Sequence, residues 1–251
     1  MVGTPGELGD KFDRMLFRLT GPAALVVLLA AVPAQVLHPR PEPDVDTAFL
    51  EEIDASGVWV HIHLLALFAY CVGLVILFAI YRSVVGDRAR LLATFGLAFA
   101  LIGTALTAVW TAIDGVAMAE ITEDYWAASG ATRDTAFLAA SAVEEVILAL
   151  WSLTWVFWFG IPFLLFGSAV AVSDGWSARW GWAGVFAGAS AFLSGFAQLY
   201  TGRHFLVSDI LMAVSAILVS VWLLVTAFMI WRKADELVPS VPAPSVQPVA
   251  R

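Results

Sequence analysis

The chain has 251 residues, 61% of them hydrophobic and only 14% charged, with a mean hydropathy of +0.86 and a formal net charge of −8. Soluble domains are about 45–50% apolar and about 25% charged, so an ordinary soluble fold is excluded and a lipid-embedded chain is indicated. No basic patch is large enough for nucleic acid, and the single cysteine, Cys71, excludes an intrachain disulfide or a cysteine-based metal cluster within one chain.

A hydrocarbon core about 30 Å thick takes about 20 apolar residues of helix. Segments of that kind lie at 19–37, 58–81, 91–118, within 135–172, at 180–200 and at 205–231, which predicts an all-α bundle of six spans. The flank 1–18 carries Lys11, Arg14 and Arg18. AAVPAQ at 30–35 has the small residues of a signal cleavage site, and cleavage after Ala34 would leave five spans. The length of the flank and its acids Glu7, Asp10 and Asp13 point instead to an uncleaved anchor.

The 38–57 loop is acidic, with Glu42, Asp44, Asp46, Glu51, Glu52 and Asp54. Span two then opens with VWVHIHLLALF at 58–68. Side chains two apart on a helix point about 200° from each other, so His61 and His63 cannot both face one site and are not a chelating pair. Cys71, in mid-span, reads as a small buried hydrophobe. Arg82, Arg88 and Arg90 follow.

Span three carries the stripe Gly96, Ala100, Gly103, Thr107, Thr111 and Asp114, small at one end and polar at the other, which predicts a face turned to the bundle interior. The loop 119–134 is again acidic, with Glu120, Glu123, Asp124 and Asp134.

Segment four is too long for one membrane crossing: 135–172 would make a helix of about 57 Å. It is either two short spans hinged at Gly160-Ile161-Pro162 or one long helix kinked near Pro162. WFGIP is no polar turn, and a seventh span would move Arg232 and Lys233 to the outer side, so one helix is expected. In span five, Gly181, Gly184, Gly188, Ala191 and Gly195 form a smooth ridge suited to close helix packing within the chain. Residues 234–251, ending PSVPAPSVQPVAR, read as a disordered tail.

Arginine and lysine are retained on the cytoplasmic side. The flank 1–18, the 82–90 loop, Arg179 and the Arg232-Lys233 end all fall on one side of a six-span chain. Both termini are therefore expected in the cytoplasm, the 19–233 bundle in the plasma (inner) membrane, and the acidic loops outside. Trp59, Trp110, Trp126, Trp176, Trp180 and Trp182 mostly fall near span boundaries, as interfacial tryptophans do.

The same orientation gathers polar residues at the outer ends of the spans. An ionisable side chain at mid-depth costs at least about 2.5 kcal/mol and usually serves a site. Asp114, Glu144, Glu145, His63 and His204 are the candidates for acid–base work, since a carboxylate within reach of an imidazole is what proton transfer requires. His61, Gln198, Tyr200 and Asp209 are candidate ligand contacts. Adjacent glutamates point about 100° apart, so at most one of Glu144 and Glu145 faces the axis squarely.

No cofactor or metal is assigned. GRHFLVSDIL at 202–211 resembles the last motif of phosphatidic-acid-type lipid phosphatases. His204 and Asp209 are five apart rather than four, however, and the lysine-and-arginine phosphate motif is missing. A bis-histidine haem between His63 and His204 has no haem-specific neighbourhood. No span carries a lysine for a retinal Schiff base, and no phosphate-binding glycine motif occurs.

TAIDGVAMAE at 111–120, RWGWAG at 179–184, VWLLVTAFMIWRK at 221–233 and Tyr81-Arg82 after span two carry a resemblance. With these motifs the chain resembles a family of uncharacterised bacterial six-span membrane proteins, a domain of unknown function. The resemblance implies a six-helix topology and no activity; Asp114 lies in its AIDG element. Two readings of function follow. One is a bundle that binds a hydrophobic small molecule or lipid, or serves a partner subunit, through an outward-facing polar vestibule. The other is an enzyme acting on a lipid or isoprenoid-like substrate by carboxylate and histidine chemistry, with or without a metal.

Overall fold

The computed structural model describes the backbone of residues 5–38, 47–201 and 206–237, and side chains at 9–38, 47–201 and 210–237. Helices account for nearly all of it: α1 (Pro5–Val36), α2 (Ala48–Ser56), α3 (Trp59–Ser83), α4 (Asp87–Trp110), α5 (Met118–Ala127), α6 (Ala131–Thr154), α7 (Ile161–Val172), α8 (Ala178–Thr201) and α9 (Leu206–Arg232). A wide π turn, Thr111–Ala117, joins α4 to α5, and a second, Trp155–Gly160, joins α6 to α7. Among the described residues no strand occurs.

Six helical stretches are long and apolar enough to cross a membrane: Gly9–Val36, Trp59–Ser83, Asp87–Ala127, Ala131–Val172, Ala178–Thr201 and Ile210–Arg232. Large apolar side chains such as Leu29, Phe186, Leu193 and Ile217 are more than half exposed, which suits contact with lipid. Cys71 is also exposed, not buried as the sequence suggested. The fourth stretch is one helix, its wide turn ending immediately before Ile161-Pro162.

Small residues set the packing, because apolar helices in lipid gain by close backbone approach rather than by hiding from water. The ridge on α8 lies inside the bundle. Gly181 and Gly188 meet the backbone of α7 at Ala171 and Leu164, and a Cβ at Gly184 would stand 2.6 Å from the Trp222 ring. On the neighbouring seam, Trp222 Nε1–H donates to the Trp180 carbonyl at 2.9 Å and Trp180 Nε1–H to Thr226 Oγ1 at 2.9 Å.

The two ends of the bundle differ in chemistry. At one, Arg82 grips Asp13 with two bonds of 2.7 and 2.8 Å, and Arg18 pairs with Asp235 at 3.0 Å. Residues 234–237, expected in a disordered tail, are docked here: Ala234 is buried and Leu237 packs on the core. Residues 238–251 lie outside the described residues.

At the other end, span three and span four continue as a hairpin of 41 and 42 residues, each about 60 Å long. Both acidic stretches read as loops contain helix. The charges mask an amphipathic pattern: Leu50 and Ile53 of α2 pack with Met118 and Tyr125 of α5 and Ala140 of α6 in a second, smaller core.

Candidate functional site

The site lies at the hairpin end. The start of α3 sets Trp59 and His63 four residues apart on one helix face, with ring centroids 4.6 Å apart. His63 Nδ1 stands 2.8 Å from the Trp59 carbonyl oxygen. A carbonyl only accepts, so Nδ1 carries the hydrogen, and Nε2 is the nitrogen left to face Asp114. The distance from Nε2 to Asp114 Oδ2 is 3.1 Å, with the imidazole fully buried and the carboxylate nearly so.

Asp114 comes from the first wide turn. Met118 N–H there reaches back five residues to the Ile113 carbonyl, and Trp59 Nε1–H donates to the Asp114 carbonyl at 2.7 Å. Gly115 makes the approach possible, because a Cβ at that position would stand 2.6 Å from His63 Cβ. One turn thus supplies both the acid and the gap that admits its partner.

Two more rings close around the pair. His38, just beyond the end of α1, lies 5.1 Å from the Trp59 ring and 5.3 Å from the His63 ring. Trp110 lies 5.0 Å from His63 on the α4 side, and Trp151 lies 4.8 Å beyond it. The donor atoms of His38, His63 and Asp114 all fall within 4.8 Å of one another. Trp110 Nε1 and Thr111 Oγ1 are buried and have no protein hydrogen-bond partner among the described residues.

A buried carboxylate is costly unless it is paired. A neutral His63 would aim a lone pair at Asp114 Oδ2, so with an ionised carboxylate acceptor would meet acceptor, and the contact calls for a proton or a cation between the two atoms.

The other candidates from the sequence stand elsewhere. His61 is exposed, and so are Glu144 and Glu145 on α6. Gln198 is buried but accepts a bond from Ser152 Oγ at 3.1 Å, on the seam between α6 and α8. Tyr200 is 86% exposed. His204 and the side chain of Asp209 lie outside the described residues. His38, Trp59, Trp110 and Gly115 were not singled out as site residues. The available signals were weak: His38 just past a span, and Gly115 adjoining Asp114 in the AIDG element.

Six apolar helices long enough to cross a membrane, packed as one bundle, define a multi-pass integral membrane protein. Residues 19–227 match the family described as Domain of unknown function (DUF4386), and the chain belongs to that family. No curated protein and no solved structure matches it.

Proposed function

We propose that the protein is a binding component of the plasma membrane. Its polar vestibule opens outward and takes the head of a small amphipathic molecule or lipid. The observation that carries this reading is the buried His63–Asp114 pair, with the Trp110 ring 5.0 Å from His63 and with Trp110 Nε1 and Thr111 Oγ1 buried and unpartnered among the described residues. Buried donors left unmade cost about 1–3 kcal/mol each, and an oxygen-bearing ligand would satisfy them. The arginine end faces the cytoplasm by the positive-inside rule, which puts both termini inside and the site at the outer leaflet. Reporter fusions after Lys233 should read cytoplasmic, and fusions within 40–56 external.

The enzyme reading draws on the same pair but is less well supported. A general base needs a nitrogen free to take a substrate proton. Both nitrogens of His63 are engaged, and the two glutamates that would assist are exposed.

Asp114→Asn tests the binding reading. An asparagine amide can donate to His63 Nε2, so the bundle keeps its contact and loses only the charge. Mass spectrometry of the protein purified with native lipid should find a bound small molecule or lipid in the parent and not in the folded variant. Equal retention in both would remove the site from the account.

A further inference from the structure

From the geometry of the pair and its neighbour we infer that His38, His63 and Asp114 bind a divalent transition-metal ion of the zinc type. The inference rests on the same site as the reading above, not on the identity of any organic ligand.

Three separate elements bring the donors together: the end of α1, the first turns of α3 and the wide turn after α4. His63 is already oriented as a metal ligand would be. Its Nδ1–H is held by the Trp59 carbonyl, the outer hydrogen bond that metal-bound histidines almost always make, and this leaves Nε2 as the coordinating atom. Two tetrahedral ligands about 2.0–2.1 Å from a zinc ion stand about 3.3 Å apart. The observed separation of Nε2 and Asp114 Oδ2 is 3.1 Å, so these two donors need almost no movement. His38 must close in from within 4.8 Å, and it is placed to do so, since it sits in a bend beyond the last residue of α1.

The donor set restricts the ion. Two imidazoles disfavour magnesium and calcium, which take oxygen ligands, and the absence of a thiolate in the group disfavours a soft ion such as Cu(I). A dication would also resolve the acceptor-against-acceptor contact, and burial would shield it from competing water. Three protein ligands leave a fourth position for water or for an oxygen of the vestibule ligand. An ion there would tie together the ends of spans one, two and three.

The test uses the full chain in detergent, stripped with chelator, loaded with zinc and desalted, then assayed for metal and by calorimetry. The parent should retain about one zinc ion per chain, with an X-ray absorption spectrum at the zinc edge showing nitrogen and oxygen ligands including imidazole. Zinc should raise its thermal midpoint, because binding to the folded state alone stabilises it. Asp114→Asn and His63→Gln should lose the ion. His38→Ala should weaken it beyond the about 10–100-fold that removing an outer-shell partner costs. Exposed His61→Ala should bind as the parent does.

If His63→Gln fails to fold, His38→Ala decides the matter, since that ring is only half-buried. No zinc on the parent overturns the inference, and so does an equal loss from His61→Ala and His38→Ala. Because the organic ligand is read separately by mass spectrometry, a missing ion with ligand still stripped by Asp114→Asn would overturn the metal site and leave the binding reading standing.

Discussion

Spans three and four each contain one wide helical turn, and the two turns are built for different ends. In each, the amide after the turn reaches five residues back, Met118 to Ile113 and Ile161 to Val156. The second turn, WVFWFG, holds no charged residue and has a local cause. Pro162 has no N–H, and in a regular helix its ring would collide with the carbonyl four residues earlier. Trp155, Trp158 and Phe163 around it are all in the main core. The first turn, TAIDGVA, has no proline. It is held from outside, by Trp59 Nε1–H on the Asp114 carbonyl and by the seating of His63 on Gly115. A distortion with a local covalent cause is packing. One without such a cause, sustained by tertiary contacts around a buried acid, is the better candidate for function.

Damage to the second turn should therefore cost stability and spare the site. Gly188 lies against the Gly160 carbonyl and the Leu164 amide at the exit of that turn. Gly188→Leu should lower stability toward the upper end of about 1–3 kcal/mol, read as a fall in thermal midpoint in detergent. The fraction that folds should keep its ligand. An unchanged midpoint would mean that the ridge does not bear on the turn.

Gly115→Ala should do the reverse. The added methyl meets His63 Cβ, which cannot rotate away, so α3 and the first turn must separate. Overpacking of about 1–3 kcal/mol is partly offset, because alanine favours helix over glycine by about 1 kcal/mol. The net loss of stability should be small, while Asp114-dependent ligand retention falls away. Full retention would show that the His63–Asp114 contact is incidental.

This contrast explains what the sequence could reveal. The six spans were legible because lipid imposes a length of about 20 apolar residues that few other structures need. An irregularity near Pro162, found as the wide turn just before it, was legible because proline acts through its own covalent geometry. Asp114 facing the interior was legible as the polar end of a small-residue stripe. The first wide turn was not, since no residue in TAIDGVA forces it and its supports come from span two. Nor was His38: its ring reaches the pair only through the tertiary placement of α1 against α3. The spacing of His61 and His63 said that both could not face inward, but the choice between them depended on which face of α3 meets span three. α2 and α5 were hidden by their acids, which interrupt the apolar positions that dock them.

Two tryptophan donors allow a finer comparison. Trp59 Nε1–H serves the first turn, and Trp158 Nε1–H, in the second, donates to Thr104 Oγ1 at 3.1 Å. Phenylalanine at either position keeps an aromatic ring and removes the donor, at about 0.5–1.5 kcal/mol. Calorimetric or thermal stability should fall alike in Trp59→Phe and Trp158→Phe. Only Trp59→Phe should weaken ligand retention. Parallel losses of ligand in both would erase the distinction between the turns.

The smallest effect is expected from Pro162→Ala. Proline is tolerated there because the wide turn just before it takes up the collision that its ring would make in a regular helix. Its replacement chiefly frees the unfolded chain, a loss of about 0.4–1 kcal/mol where the native backbone is kept. Neighbours should keep it: Gly103 abuts the Phe157 carbonyl and Gly160 abuts the Phe192 backbone, so the turn is clamped from both sides once the proline has set it. The thermal midpoint should fall slightly and ligand retention should not change. The informative failure is loss of ligand at normal stability. The rings of Trp110, Trp151 and Trp155 run from the His63 ring to the second turn with centroid separations of 5.0, 4.8 and 5.8 Å. Relaxing the second turn would then have reached the first through that row. The two would have to be treated as one coupled element, not as a structural turn and a functional one.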